Sequence, residues 1–209
     1  MEEKPRKRQR RWFQFSLRTL LIVMTVCAVA FAWWSYKARQ QREVVAALKK
    51  NAMIVYDFRE QRLKKPPYWP AWLVNIVGVD YFANVTEVHF HDDTTDADMR
   101  GLSKLTTLKL VRIHCPRVTD AGLKELAGLS SLQELTIYHA RVTDEGVAEL
   151  VGLRELHTLH LDTTKITDKG LMKLAELKSL RGLNVDNTRV TDEGVKELQL
   201  ALPSCKIER

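Results

Sequence analysis

The sequence predicts an α/β solenoid, with parallel strands on a concave face and short helices on a convex one, preceded by a single transmembrane helix. Three observations carry this expectation. A phrase close to Val-Thr-Asp returns every 24 residues, beginning at Thr94, Val118, Val142, Ile166 and Val190. Apolar residues hold fixed places within each period: Leu132/Leu135/Ile137/Ala140/Val142, Leu156/Leu159/Leu161/Thr164/Ile166 and Leu180/Leu183/Val185/Thr188/Val190. Ahead of the repeats, Thr19 to Tyr36 contains no charged residue. Self-similarity at such a period marks units that cannot bury an apolar face alone and must stack to share one core.

Composition sets the outer limits. With 209 residues, the chain fits one domain plus appendages, which argues against a multidomain enzyme. At 45% hydrophobic and 28% charged residues it has enough apolar content for a core, which excludes global disorder. Three scattered cysteines without a Cys-x-x-Cys pair supply neither a dense disulfide framework nor a zinc knuckle. The net charge of +7 is unevenly spread. Residues 1–18 hold seven Lys/Arg against Glu2 and Glu3, whereas residues 37–209 hold 26 basic and 24 acidic side chains. The basic character therefore belongs to a short tail, and the folded part does not read as a nucleic-acid-binding domain.

The tail and the apolar run explain each other. As a helix, Thr19–Tyr36 spans about 27 Å, close to the hydrocarbon thickness of a bilayer. Trp12 and Phe13 precede it, and Trp33, Trp34 and Tyr36 close it, as aromatic belts do at the two interfaces. Residues 1–18 are read as a basic cytoplasmic tail and 19–36 as the span. The far flank, residues 37–54, has five Lys/Arg (Lys37, Arg39, Arg42, Lys49, Lys50), so the bias places the amino terminus inside and the repeats outside the cytoplasm. The alternative is secretion after signal cleavage, since Ala28-Val29-Ala30 and Ala30-Phe31-Ala32 match a small-x-small pattern.

Residues 37–70 are expected to form an amino-terminal cap. Lys37–Lys50 consists of helix formers with one apolar stripe (Val44, Val45, Ala47, Leu48) that continues the membrane helix, and Asn51 stops it. Met53-Ile54-Val55-Tyr56 reads as a short strand, and Lys64–Pro70, with Pro66, Pro67 and Pro70, as a loop.

The repeat domain takes up residues 71–209. Within one unit, Leu135-Thr136-Ile137-Tyr138 alternates with period two and reads as a strand. Val147, Leu150 and Leu153, three apart, read as the buried face of a short helix. The recurring pairs Thr95-Asp96, Thr119-Asp120, Thr143-Asp144, Thr167-Asp168 and Thr191-Asp192 stand at helix starts, where side-chain oxygens cap orphan amides. A weaker first unit places Phe82, Val85, Val88 and Phe90 at the apolar positions. After Leu202-Pro203, the alternation of Cys205 and Ile207 with polar residues reads as a last strand that caps the open edge.

These motifs resemble the leucine-rich-repeat family, in the variant with a 24-residue unit and a helix on the convex side. The whole layout is similar to small bacterial membrane-anchored leucine-rich-repeat proteins, in which a lead such as Phe13-Gln14-Phe15-Ser16-Leu17-Arg18 enters a membrane helix. The resemblance implies a protein-protein interaction module working through the concave strand face. One departure stands out. Many such repeats carry Asn at the turn after the strand; here the place holds Pro116, Ala140, Thr164 and Thr188, and the turns at Pro116 and Ala140, which lack a side-chain donor, are expected to be irregular.

The strand pattern puts three columns on the concave face: His89, Arg112, Thr136, His160, Asn184; His91, His114, Tyr138, Asp162, Asp186; and Glu87, Leu110, Glu134, Thr158, Gly182. From these, His89, His91, Arg112, His114, Thr136, Tyr138, His160 and Asp162 form the candidate partner-binding set. His89, His91 and His114, with Asp92 and Asp93 close by, raise metal or substrate binding as an alternative, although a polar strand face gives the same spacing without any metal. No nucleophile elbow, His-Glu-x-x-His or phosphate loop appears, so no catalytic residue and no cofactor is assigned and the chain is read as a non-enzyme. Cys115 and Cys205, about 18 Å apart at the spacing of stacked strands, are too far for a disulfide. The expected partner is a protein or an envelope component, with the bilayer held through Thr19–Tyr36. A structural envelope protein packing against like copies is the other reading.

The register makes a direct test available. Leu159→Asp is expected to bury an unpaired charge and cost several kcal/mol, comparable to the stability of a small domain, whereas Thr158→Asp, one residue away and facing out, is tolerated. Thermal melting of the two variants checks this; equal midpoints for both would show the register to be wrong.

Overall fold

The computed structural model describes residues 17–57, 70–79 and 83–209. The basic run, Trp12, Phe13, most of the Pro-rich loop and Phe82 lie outside the described residues. The chain divides into two units, residues 1–37 and 38–209.

Helix α1, Leu17–Leu48, runs through the apolar segment and on into the second unit. No proline interrupts it and Asn51 follows its end, as the helix-forming composition of residues 37–50 predicts. Its apolar window is wholly exposed, and the helix is long and apolar enough to cross a membrane.

In the second unit, the last turns of α1 bury Val44, Val45 and Leu48 in the repeat core. Strand β1, Ala52–Tyr56, pairs antiparallel with β2, Val85–Phe90, so the cap closes the first edge of the sheet with a strand of opposite sense. A short helix α2, Ala71–Val77, starts after Pro70 and stops at Gly78, whose φ of 100° suits glycine. From β2 onward every pairing is parallel: β3 Leu110–His114, β4 Glu134–Tyr138, β5 Thr158–His160, β6 Gly182–Asn184 and β7 Lys206–Glu208 follow in chain order. The residues after Pro203 thus add a seventh strand to the sheet. This is a leucine-rich-repeat solenoid.

The core is a stack of aliphatic side chains. Leu132, Leu135, Ile137, Leu156, Leu159, Leu161 and Leu180 are fully buried, as are Val147, Leu150 and Leu153 on the convex side. Fully burying one such side chain stabilises the fold by about 1.5–3 kcal/mol. The convex elements differ from a plain helix. Helices α3 Asp120–Leu123, α4 Asp144–Ala148 and α5 Asp168–Lys173 each pass at once into a 3₁₀ turn, at Lys124–Leu126, Glu149–Gly152 and Leu174–Glu176. The reason lies in the spacing. Val147, Leu150 and Leu153 are three apart, and a helix with three residues per turn keeps all of them on one side. Only α6, Asp192–Ala201, runs to 10 residues.

The Thr-Asp pairs do more than cap. In four of the five pairs the Thr hydroxyl accepts a helix N–H, from Ala121, Glu145, Lys169 or Gly194; after Thr95, expected to cap in the same way, no helix begins. The paired Asp reaches to the next unit, which the within-unit reading did not anticipate. The Asp96 carboxylate accepts the backbone N–H of Thr119 at 2.8 Å and its hydroxyl at 2.7 Å. Asp120 does the same for Thr143, Asp144 for Thr167 and Asp168 for Thr191. A hydroxyl has one hydrogen, so a Thr that gives it to the preceding Asp keeps lone pairs for the helix amide. The glycine two residues after Asp120, Asp144, Asp168 and Asp192 makes room for the preceding carboxylate. A Cβ on Gly170 would overlap the Asp144 Oδ1 and lie 3.0 Å from the Asp144 Cα.

At Thr95 and at Asp192 the ladder bonds come from other residues. No unit precedes the first, and Asp98, at the glycine position, itself accepts the Thr95 N–H at 2.9 Å and hydroxyl at 2.8 Å. These bonds hold its carboxyl below the usual range. At the other end Arg209 donates to Asp192 and, through Nε, to the Val190 carbonyl at 2.7 Å.

The turns after the strands repeat as well. His139, Thr163 and Asn187, 24 residues apart, all have φ of 53–55°. Thr164 and Thr188 donate their hydroxyls to Leu161 and Val185 carbonyls. The turn at Ala140 keeps the shared left-handed residue without a donor, so irregularity is confined to Pro116. There the preceding Cys115 has no left-handed φ, and its thiol donates to the His91 carbonyl at 2.9 Å.

The clamp predicts strong coupling. Asp144→Ala is expected to cost about 1.5–3 kcal/mol, the range for a hydrogen bond to a charged group, and Gly170→Ala a similar amount through overlap. In the double variant the added methyl finds the carboxylate gone, so the combined loss should fall at least about 1 kcal/mol short of the sum. Denaturant titration of the four proteins measures this; additive losses would show that Gly170 is not placed by Asp144.

Candidate functional site: the concave strand face

The sheet registers assemble the columns. His89, Arg112, Thr136, His160 and Asn184 are successive Cα partners, as are Glu87, Leu110, Glu134, Thr158 and Gly182. His114 pairs with Tyr138. Each strand contributes its outward residues, while the intervening Val88, Val111, Leu135, Leu159 and Leu183 point into the core. Stacking holds these side chains on a backbone ladder with a spacing of about 4.8 Å.

The eight candidate residues do not share one environment. His91, Arg112 and His114 are exposed, and His89, Thr136, Tyr138 and His160 are half-buried. Asp162, expected on the open face, is only 8% exposed. Strand β5 ends at His160, and the turn through left-handed Thr163 carries Asp162 down among its neighbours. Burial pushes its carboxyl up. Burial likewise pushes the Tyr138 phenol up, and the nearby Asp162 charge adds to the shift.

Some of the face is already satisfied from within. His89 Nε2 lies 3.1 Å from Glu87 Oε2, and His114 Nδ1 3.2 Å from Asp92 Oδ1. Asn184 donates to Asp186 at 3.0 Å and accepts the Asp186 N–H at 2.8 Å. The centre is different. The Arg112 guanidinium and the Thr136 hydroxyl have no partner among the described residues. His160 Nδ1 and Asp162 Oδ2 face each other at 4.0 Å, both buried and both without a hydrogen bond. Arg112, Ile113, His114, Thr136, Tyr138 and His160 line a recess of about 360 Å³ over this centre.

His139 belongs with this group although its position after the strand gave no reason to include it. Its ring lies 5.3 Å from that of His114, which also meets Tyr138 edge-on at 6.2 Å. The left-handed turn puts it there, and the 24-residue recurrence of His139, Thr163 and Asn187 is the signal that could have revealed it. The histidines do not gather as metal ligands: among the described residues no three His, Cys, Asp or Glu side chains come together to hold an ion. All three cysteines are free, and burial pushes the Cys115 and Cys205 thiols up, away from reactive thiolate.

Comparison with known proteins gives the following. The model of the leucine-rich-repeat family matches residues 153–175. No curated protein matches the chain. Among solved structures, an internalin C2 from Listeria monocytogenes is 27% identical, with a TM-score of 0.42 over 55% of this chain and 46% of its own. A leucine-rich-repeat protein of Leptospira interrogans is 19% identical, with a TM-score of 0.43 over 63% of this chain and 39% of its own. An internalin F of Listeria monocytogenes is 19% identical, with a TM-score of 0.37 over 52% and 36%. The chain thus spans less than half the length of these structures.

Proposed function

We propose that the chain is a membrane-anchored protein-interaction module that binds a protein partner through the concave face of its repeats. The observation that carries this reading is the centre of that face: a recess ringed by Arg112, Tyr138 and His160, with two buried polar atoms that lack a hydrogen bond. Tyr and Arg are the residue types that most often anchor interfaces, and side chains on stacked strands need little ordering on binding. The fold supports an interaction role. The helix α1 supports the anchor, because its exposed apolar length suits lipid.

The reading puts the amino terminus in the cytoplasm and residues 37–209 outside, tethered through residues 19–36. The surplus of Lys/Arg before the span supports this orientation. Alkaline phosphatase fused after Arg209 is expected to be active, and a cytoplasm-only fluorescent protein fused there dark. The opposite pattern would reverse the topology, and a soluble product starting near Phe31 or Trp33 would establish secretion instead.

The binding face is tested in intact membranes by chemical cross-linking. Tyr138→Ala is expected to lower partner capture about tenfold or more, equivalent to about 1.4 kcal/mol, with the melting temperature of the domain unchanged. Lys124→Ala and Glu149→Ala, on the convex side, should capture as the parent does. Loss of capture in those two with none in Tyr138→Ala would move the site to the helical side. Recovery of only the chain itself would favour a packing role in the envelope.

A further inference from the structure

The central recess contains more unpaired donors than acceptors. Arg112 is an exposed guanidinium without a partner among the described residues, and the Thr136 hydroxyl beside it is equally unengaged. Arg112 and Thr136 are Cα partners on adjacent strands, and His160 is the next partner of Thr136. His114 and Tyr138 close one side of the recess. Beside it, His160 Nδ1 and Asp162 Oδ2 face each other at 4.0 Å, both atoms buried and neither hydrogen-bonded, and such atoms call for an explanation. Arg, Thr and His around one hollow form a set that receives an acid. A guanidinium in particular presents two parallel N–H groups to a planar carboxylate.

We propose that the recess between Arg112 and His160 seats a single carboxylate side chain of the protein partner, held by Arg112 and Thr136. This deepens the concave-face reading and rests on it. The surrounding charge selects a monoanion. Arg112 is the one fixed cation lining the hollow, while Asp162 lies 4.0 Å from His160, Asp186 in the turn after β6, and Glu134 two residues from Thr136 along β4. A phosphate with nearly two charges meets the same single cation and more repulsion from these carboxylates. The same acidic surround sets what flanks the docked acid. Side chains two residues away in an extended segment stand about 6.6 Å along the chain, a reach that suits cations facing Glu134 and Asp186. The partner segment therefore carries one acidic residue between basic ones at alternate positions.

The test uses the full chain in phosphatidylcholine nanodiscs with isotope-labelled Arg and His, followed by NMR. Three capped peptides serve as probes: Lys-Ala-Glu-Ala-Lys, the same with Gln for Glu, and the same with phosphoserine for Glu. The Glu peptide is expected to shift the side-chain signals of Arg112 and His160, and the Gln peptide to bind about tenfold more weakly. Arg112→Gln should weaken the Glu peptide about tenfold at unchanged melting temperature, with Arg112→Lys between it and the parent because the charge stays and the paired N–H groups go. Equal binding of the Glu and Gln peptides, tighter binding of the phosphoserine peptide at these residues, or no shift with any of the three would each overturn the proposal. If the peptides fail while Tyr138→Ala still abolishes capture, the concave-face reading stands and only the carboxylate site falls.

Discussion

The fold depends on one polar contact repeated from unit to unit, the clamp of an Asp carboxylate on the backbone and hydroxyl of the Thr 23 residues later. Leucine packing supplies most of the free energy but has little direction, and aliphatic stacks tolerate small slips. Backbone hydrogen bonds join the units along the concave strands and again just ahead of the helices, where Arg141, Lys165 and Arg189 donate to Val118, Val142 and Ile166 of the preceding unit. The clamp adds a further point at the start of the convex helices, so each unit is held against its neighbour on both sides of the core. It also explains why Asp-x-Gly recurs: a side chain at Gly146 or Gly170 would occupy the space of the preceding carboxylate. The same Thr then caps its own helix, which couples helix formation in one unit to the presence of the one before.

The ends of a stack need substitutes for missing neighbours. The chain provides them with local residues. Asp98 accepts from Thr95 as a preceding Asp does in the later units, and Arg209 donates to Asp192. The apolar end faces are covered by different means. Leu48 and Val45 of α1, together with the antiparallel strand β1, close the first unit, and Cys205 and Leu202 lead into β7 at the other side.

Short strands shape the binding surface. With three to six residues per strand, each unit offers only two or three side chains to the concave face. A site must therefore be assembled from several units, and its geometry is set by the ladder spacing. The flanks of this face are satisfied internally, His89 by Glu87 and Asp186 by Asn184. The middle is left with a guanidinium and a hydroxyl without a partner among the described residues, and with a His160–Asp162 couple 4.0 Å apart whose facing atoms are buried without a hydrogen bond. A stable sheet tolerates such a spot because the cost falls on one unit while the clamp and core of its neighbours hold the backbone in place.

The periodic residues were readable in advance because their reasons are local. Leu135 and Ile137 alternate as any half-buried strand must, the 24-residue spacing demands stacking, and the columns from His89 to Asn184 follow from strand geometry alone. The apolar run from Thr19 to Tyr36 announces a helix by composition. What the sequence did not disclose depends on contacts between units. The role of Asp144 lies in the next repeat, so within its own unit it looks like a second capping residue. The burial of Asp162 and the recruitment of His139 follow from left-handed turns at Thr163 and His139, residue types that carry no glycine signal for that conformation. The absence of a partner for Arg112 among the described residues, on which the carboxylate proposal stands, became visible only once Glu87, Asp92 and Asp186 were seen to be engaged elsewhere. Sequence determined the repeat and the order of its faces, since both follow from periodicity along one chain. Tertiary structure decided which polar groups on the chosen face remain unpaired, since hydrogen-bond partners are assigned across the stack and not along it.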